Sequence, residues 1–206
     1  YSYFPFYGDI YINKTAVPLT YVGQKQVGNG VENRADIGRY CYMVAKGVAD
    51  EATGSLYFNY ERLGILFRVK VPVKPGTYKT LTLCTNEDLL VQKGTYDAMA
   101  LDLDVHNPVY GRTITLDLED VTFDEEGTLV AYFMLAPFDY ENRPVTFELV
   151  DSEGNVAVSS VRGKNYVRGM TYGNAPHFSI SPANVNVEGA SGSFVFDITA
   201  SAAHGY

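Results

Sequence analysis

The chain has 206 residues, is 46% hydrophobic and 19% charged, and carries a net charge of −8, with an isoelectric point near 4.8. That balance suits one large or two small globular domains, and with no cluster of Lys and Arg it argues against binding nucleic acid through its phosphates. No run approaches the roughly 20 apolar residues that a membrane-spanning helix needs.

Residues 1–12 are aromatic and strand-like, interrupted by Pro5 and Gly8. The chain opens inside strand-like sequence and ends on SAAHGY just after more of it, so both ends are expected to be cut points, and the lack of a signal peptide says little about compartment. Residues 17–21 continue as extended chain. Residues 23–33, GQKQVGNGVEN, are rich in Gly and Asn and are predicted as a loop. Residues 37–45 read as a short strand or brief helix, and 48–53 as a polar connection.

The densest run of strand formers follows at 54–83, GSLYFNYERLGILFRVKVPVKPGTYKTLTL. Leu56, Phe58 and Tyr60 alternate with Tyr57, Asn59 and Glu61. Leu66, Arg68 and Lys70 alternate with Phe67, Val69 and Val71. A period of two is the mark of a half-buried strand. Lys74-Pro75-Gly76-Thr77 is a turn, since Pro presets φ at one corner and Gly tolerates positive φ at the next. Two or three antiparallel strands are expected here, forming the spine of one sheet.

Residues 86–90 fit one helical turn or a loop, and 94–103 are ambiguous. His106-Asn107-Pro108 reads as a domain junction. Residues 113–123 alternate strictly, 124–127 make a turn, and 129–135, LVAYFML, are apolar on both parities, as in a strand buried on both faces. A turn is expected at 139–144. Residues 145–150 and 156–161 flank DSEGN and predict a β-hairpin, and 167–172 one more strand. Pro176 marks a second boundary, with short strand signals at 178–180 and 185–187. Phe194, Phe196 and Ile198 then alternate with Val195, Asp197 and Thr199. No amphipathic helix of ordinary length is predicted. The fold class expected is all-β, with sandwich domains at 1–106 and 107–176 and a strand extension, or the start of a further domain, at 177–206.

Motifs for chemistry are sparse. His106, His177 and His204 are isolated, and there is no His-Glu-x-x-His or Cys-x-x-Cys. Cys41 and Cys84 are too few for a disulfide scaffold and wrongly spaced for zinc. They are either two separately buried thiols or, in an exported protein, one disulfide. Asp102-x-Asp104-x-His106 has the outline of a calcium loop, but Asn107 stands where the sharp turn needs Gly and Thr113 where a bidentate Glu belongs. Asp117, Glu119, Asp120, Asp124, Glu125 and Glu126 read as a solvated strand face and turn. A glycosidase would need two facing carboxyl groups, and the chain has no Trp to hold a sugar. Gly189-Ala190-Ser191-Gly192-Ser193 is a turn and not a nucleophile elbow. Asn13-Lys14-Thr15 matches the N-glycosylation pattern, by chance if the protein is bacterial. No catalytic, cofactor-binding or metal-binding residue is assigned.

One interaction site is expected. A terminal strand with Phe194, Phe196 and Ile198 on one face has the form of a donor that adds to the edge of another subunit's sheet, through main-chain hydrogen bonds and alternate side chains in pockets. Packing within its own domain is the competing reading.

The succession YSYFPF, GQKQVGN, IGRYCYMVA and GSLYFNYERLGILFRVKVP resembles the fimbrillin-like proteins of Bacteroidetes. LVAYFMLAPFDYENRPVTFELVDSEGNVAVSS, through Gly169-Met170-Thr171-Tyr172, is similar to that family's second domain, so the resemblance covers residues 1–172. Glu61-Arg62 stands where the family usually has His. The resemblance implies two transthyretin-like β-sandwiches in an exported lipoprotein that assembles into surface fimbriae or their tips. It implies other fimbrial subunits or host and bacterial surface ligands as partners, and an outer-membrane lipid anchor on a preceding region. FSISPANVNVEGASGSFVFDITAS resembles the opening of a BACON domain, a module attached to carbohydrate-active or surface proteins. The expected function is that of a non-enzymatic cell-surface fimbrial subunit or adhesin without cofactors. The alternative is a carbohydrate-binding surface module, which would display a row of Tyr rings with flanking amides.

Overall fold

At Lys74-Pro75-Gly76 the chain leaves one sheet for another. The computed structural model describes residues 2–5, 13–31, 36–173 and 193–195. In chain order these form β1 (Ser2–Phe4), β2 (Val17–Thr20), β3 (Gln24–Val27), a 3-10 turn (Asp36–Tyr40), β4 (Met43–Ala45), β5 (Gly47–Asp50), β6 (Ser55–Phe58), β7 (Glu61–Arg62), β8 (Ile65–Val73) and β9 (Gly76–Cys84). There follow β10 (Leu90–Asp97), β11 (Asp102–Gly111), β12 (Thr113–Phe123), β13 (Gly127–Leu135), β14 (Phe138–Asp139), β15 (Pro144–Asp151), β16 (Val156–Arg162), β17 (Asn165–Tyr166), β18 (Thr171–Tyr172) and β19 (Ser193–Val195).

The largest sheet runs β19-β16-β15-β9-β12-β3, and β19 and β3 at its two edges pair in parallel with their neighbours. A second runs β13-β8-β18 and a third β11-β10-β2, with smaller groups β1-β4-β7, β14-β17 and β5-β6. The segment expected to form one spine is therefore divided. β8 pairs residue for residue with β13, from Ile65↔Leu135 to Val73↔Gly127, whereas β9 lies between β12 and β15. Sequence alternation marks both strands but does not choose their partners. Strands from both sides of the boundary expected at 106/107 share the largest sheet, and the boundary itself falls inside β11.

The two main sheets face each other. Ile65, Phe67, Val69, Val71 and Val73 alternate inward along β8, and Leu81, Leu83, Leu116, Val145, Phe147 and Leu149 project from the larger sheet into the same core. The Phe147 ring sits 6.0 Å from Phe67 and 6.5 Å from Phe133. Each such side chain contributes about 1.5–3 kcal/mol on burial. At one end the core is built of tyrosines. Tyr42 meets Tyr21 edge-on at 5.7 Å and Tyr96 at 6.1 Å. The Tyr42 hydroxyl accepts from Thr20 N at 2.9 Å and donates to Thr20 O at 3.1 Å, which satisfies the buried phenol.

The double-sided apolarity of β13 has its predicted meaning. Leu129, Ala131, Phe133 and Leu135 line the core, and Val130, Tyr132 and Met134 on the other face are also buried. The segment 28–31 and the 3-10 turn lie against that outer face; Gly30 N donates to Val130 O at 2.9 Å.

The Gln-containing loop holds a strand that sequence propensity did not predict. β3 pairs with β12, and its side chains alternate, with Gln24 1% and Gln26 6% exposed. Both amides turn onto the edge of β13 that β8 leaves free. Gln24 binds Met134 N and O, Gln26 binds Tyr132 N and Val130 O, and Asn29 binds Val130 N and Thr128 O. Side-chain amides stand in for a strand and satisfy the backbone groups of an edge enclosed in the core.

Other elements depart from expectation locally. Residues 37–45 form both a 3-10 turn and β4. The connection at 48–53 contains most of β5 and the turn into β6. The 94–103 stretch contributes to β10 and β11, and the strand expected at 167–172 is reduced to β18. The β15–β16 hairpin forms as predicted, with Val145↔Val161 in register. The strand signals at 178–180 and 185–187 lie outside the described residues.

Candidate functional site

The residues considered for chemistry lie apart. Asp102 and His106, whose side chains are both exposed on β11, are hydrogen-bonded, with Nε2 2.8 Å from Oδ2. Backbone and His106 hydrogen bonds hold the Asp102 carboxyl below its ordinary value. Asp104 instead reaches Arg168 at 3.4 Å. Asn107 takes a φ of 48°, and the β10–β11 register slips by bulges here, so the supposed calcium loop is an irregular strand. Among the described residues no three His, Cys, Asp or Glu side chains come together as metal ligands.

The acidic run is a solvated face. Glu119 pairs with Lys25 at 2.7 Å with both side chains exposed, and Asp120 sits at φ 55° where the β9–β12 register shifts. Asn13 forms a local turn, its Oδ1 accepting from Thr15 N and Oγ1. Cys41 and Cys84 are free and half-buried. Burial, with a smaller contribution from Glu148, pushes the Cys84 thiol up to about 11. Burial also raises Cys41, against the opposing pull of Arg62. Both are poor nucleophiles at neutral pH. His177 and His204 lie outside the described residues.

Of the expected donor residues, Phe194 lies on β19, and Phe196 and Ile198 lie outside the described residues. β19 adds in parallel to β16 of the same chain, with Ala157↔Phe194 in register.

The feature that sequence reading missed is a projecting hairpin. Among the described residues β5 and β6 pair only with each other, from Gly47↔Phe58 to Asp50↔Ser55. The turn is well made. Gly54 N donates to Asp50 O, Asp50 Oδ1 accepts from Ala52 N, and Gly54 takes a φ of 69°. Hydrogen bonds from Thr53 and Ala52 keep the Asp50 carboxyl below its ordinary value. Of the alternating Leu56, Phe58 and Tyr60, the first two lie on β6 and Tyr60 follows in the link to β7, and among the described residues nothing buries these side chains. Leu56 is 58% exposed, Phe58 40% and Tyr60 45%, and on the opposite face Val48 and Tyr57 are 66% and 57% exposed. A cluster of large apolar side chains on one exposed element is the signature of an interaction surface. The signal available in sequence was strand, Gly-bearing turn and strand across 47–58, masked by the acidic residues of the turn.

No protein-family model matches the chain, and no curated protein does. Among solved structures, a candidate cell adhesion protein from Bacteroides ovatus superposes with a TM-score of 0.53 at 13% identity, over 81% of this chain. The chain shares that protein's fold. It spans 57% of the length of that structure. A candidate cell adhesion protein from Bacteroides uniformis aligns at 12% identity over 84% of this chain and 66% of its own, with a TM-score of 0.46.

Proposed function

We propose that the chain is a non-enzymatic cell-surface adhesin or fimbrial subunit of the fimbrillin-like type, acting through strand edges and exposed loops. The observation that carries this reading is the β5–β6 hairpin, which is apolar on both faces and exposed on both. The fold shared with a candidate adhesion protein and the aromatic motif order of the sequence support it. In this reading the protein is exported and held at the outer membrane by a lipid anchor on a preceding region. Beads coated with the full chain should bind epithelial or bacterial cells more than albumin-coated beads do. Equal binding overturns the reading.

Assembly belongs to the same proposal. A β19-type strand with Phe194, Phe196 and Ile198 would link subunits if it paired with a β16 of another copy in place of its own. Light scattering after size exclusion should then show oligomers for the full chain and monomers for Phe194→Pro, which removes a main-chain donor from the strand. A wild-type chain that stays monomeric at every concentration removes donor use from the reading.

A further inference from the structure

Within the hairpin region, Phe58 and Tyr60 form a built platform. Their ring centroids are 6.4 Å apart and the planes differ by 32°. The Tyr60 hydroxyl is tied to Ser2 Oγ at 2.6 Å, across from β1. Opposite Phe58 stands Gly47, where a Cβ would come within 3.1 Å of the Phe58 ring and 2.9 Å of Leu56 Cδ1. The missing side chain lets both residues lie over the strand. Leu56 extends the stripe at one end, and Asn59 and Glu61, both exposed, flank Tyr60 with hydrogen-bonding groups.

The geometry points to this platform as a binding site for a neutral polysaccharide. The proposal rests on the adhesin reading and names the class of ligand. Two neighbouring exposed rings tilted by 32°, one of them held through its hydroxyl, offer the negative faces that the C–H faces of sugar rings pack against. The Glu61 carboxylate and Asn59 amide would meet hydroxyl groups, giving an apolar surface with a few polar groups, the usual make-up of a small-ligand site. Charge decides among occupants. Glu61 adjoins the rings, Asp50 and Glu51 form the hairpin turn, Lys46 stands at its foot, and the chain as a whole is −8. Sulfated or uronic-acid polymers and anionic bilayers are repelled, as is the like-charged hairpin of a second copy. A neutral, hydroxyl-rich chain is not.

The test is affinity electrophoresis of the full chain in gels containing galactomannan, xyloglucan, β-glucan or mannan, with heparin as the sulfated comparison. At least one neutral polymer should retard the chain. Phe58→Ala and Tyr60→Ala, both at exposed positions, should each weaken retardation tenfold or more, and Ser2→Ala by a few fold. Tyr110→Ala, an exposed tyrosine on β11, should leave it unchanged. No retardation by any neutral polymer, retardation by heparin alone, or retardation of both ring variants equal to that of the wild type overturns the proposal. So does loss of vesicle binding or self-association in those variants while retardation stays absent. The bead assay separates the two readings. Cell binding that survives Phe58→Ala/Tyr60→Ala leaves the adhesin reading standing without the glycan. Ring-dependent retardation without cell binding does the reverse.

Discussion

Gln24 and Met134, 110 residues apart, exchange two hydrogen bonds: Gln24 Nε2 donates to Met134 O at 2.7 Å, and Met134 N donates to Gln24 Oε1 at 2.8 Å. Gln24 Nε2 also reaches Tyr21 O at 2.7 Å. One side chain thereby satisfies a strand residue whose backbone β8 cannot serve. Gln24→Leu keeps the volume and leaves these buried groups unpaired. It should cost about 2–4 kcal/mol, since each orphaned buried group costs roughly 1–3 kcal/mol. Urea denaturation measures it, and a loss below about 0.5 kcal/mol would mean that water or a shifted loop replaces the amide.

The cover over the outer face of β13 depends on a close approach at Gly30. A Cβ there would lie 2.4 Å from Val130 O and 2.8 Å from the Tyr132 ring. Gly30→Ala should therefore destabilise by about 1–3 kcal/mol, the range for overpacking a filled site. Gly38→Ala, in the same covering segment but with nothing within 4 Å, should be neutral or slightly stabilising. Equal thermal midpoints for the two variants would contradict the assigned contact.

Acid should loosen the β15–β16 turn. Burial alone would raise the Asp151 carboxyl, but hydrogen bonds from Asn155 Nδ2 and N and from Glu153 N outweigh it and hold the group below its ordinary value. A depressed carboxylate stabilises above the unfolded value, near pH 4, and loses that contribution as pH falls through the lower folded value. Asp151→Asn should therefore be less stable than the wild type at pH 7, and the gap should narrow at pH 3. Parallel urea midpoints at the two pH values would show that this linkage is absent.

The cysteines should behave as two slow thiols. With Cys84 pushed up to about 11 by burial and Cys41 raised for the same first reason, reaction with Ellman's reagent at pH 8 should be slow in the native protein. In guanidinium it should be fast and give two thiols per chain. A chain with no titratable thiol after unfolding would carry a disulfide that the fold does not contain.

The sequence by itself determined the class of structure and many local elements. Strict alternation across residues 113–123 gave β12, DSEGN between two apolar runs gave the β15–β16 hairpin, and apolarity on both parities gave a strand covered on two sides. Each is a local signal, written in the period of side chains or the φ that a turn requires. Only the tertiary structure decided partners. β8 and β9 look like consecutive strands of one sheet, yet they face each other across the core because β13, β12 and β15 compete for their edges. GQKQVG looks like a loop, and becomes a strand because two distant backbones accept it, β12 through its main chain and β13 through its glutamines. Leu56, Phe58 and Tyr60 carry the pattern of a buried face and are exposed, because alternation reports which residues share a side and cannot say whether anything packs against that side.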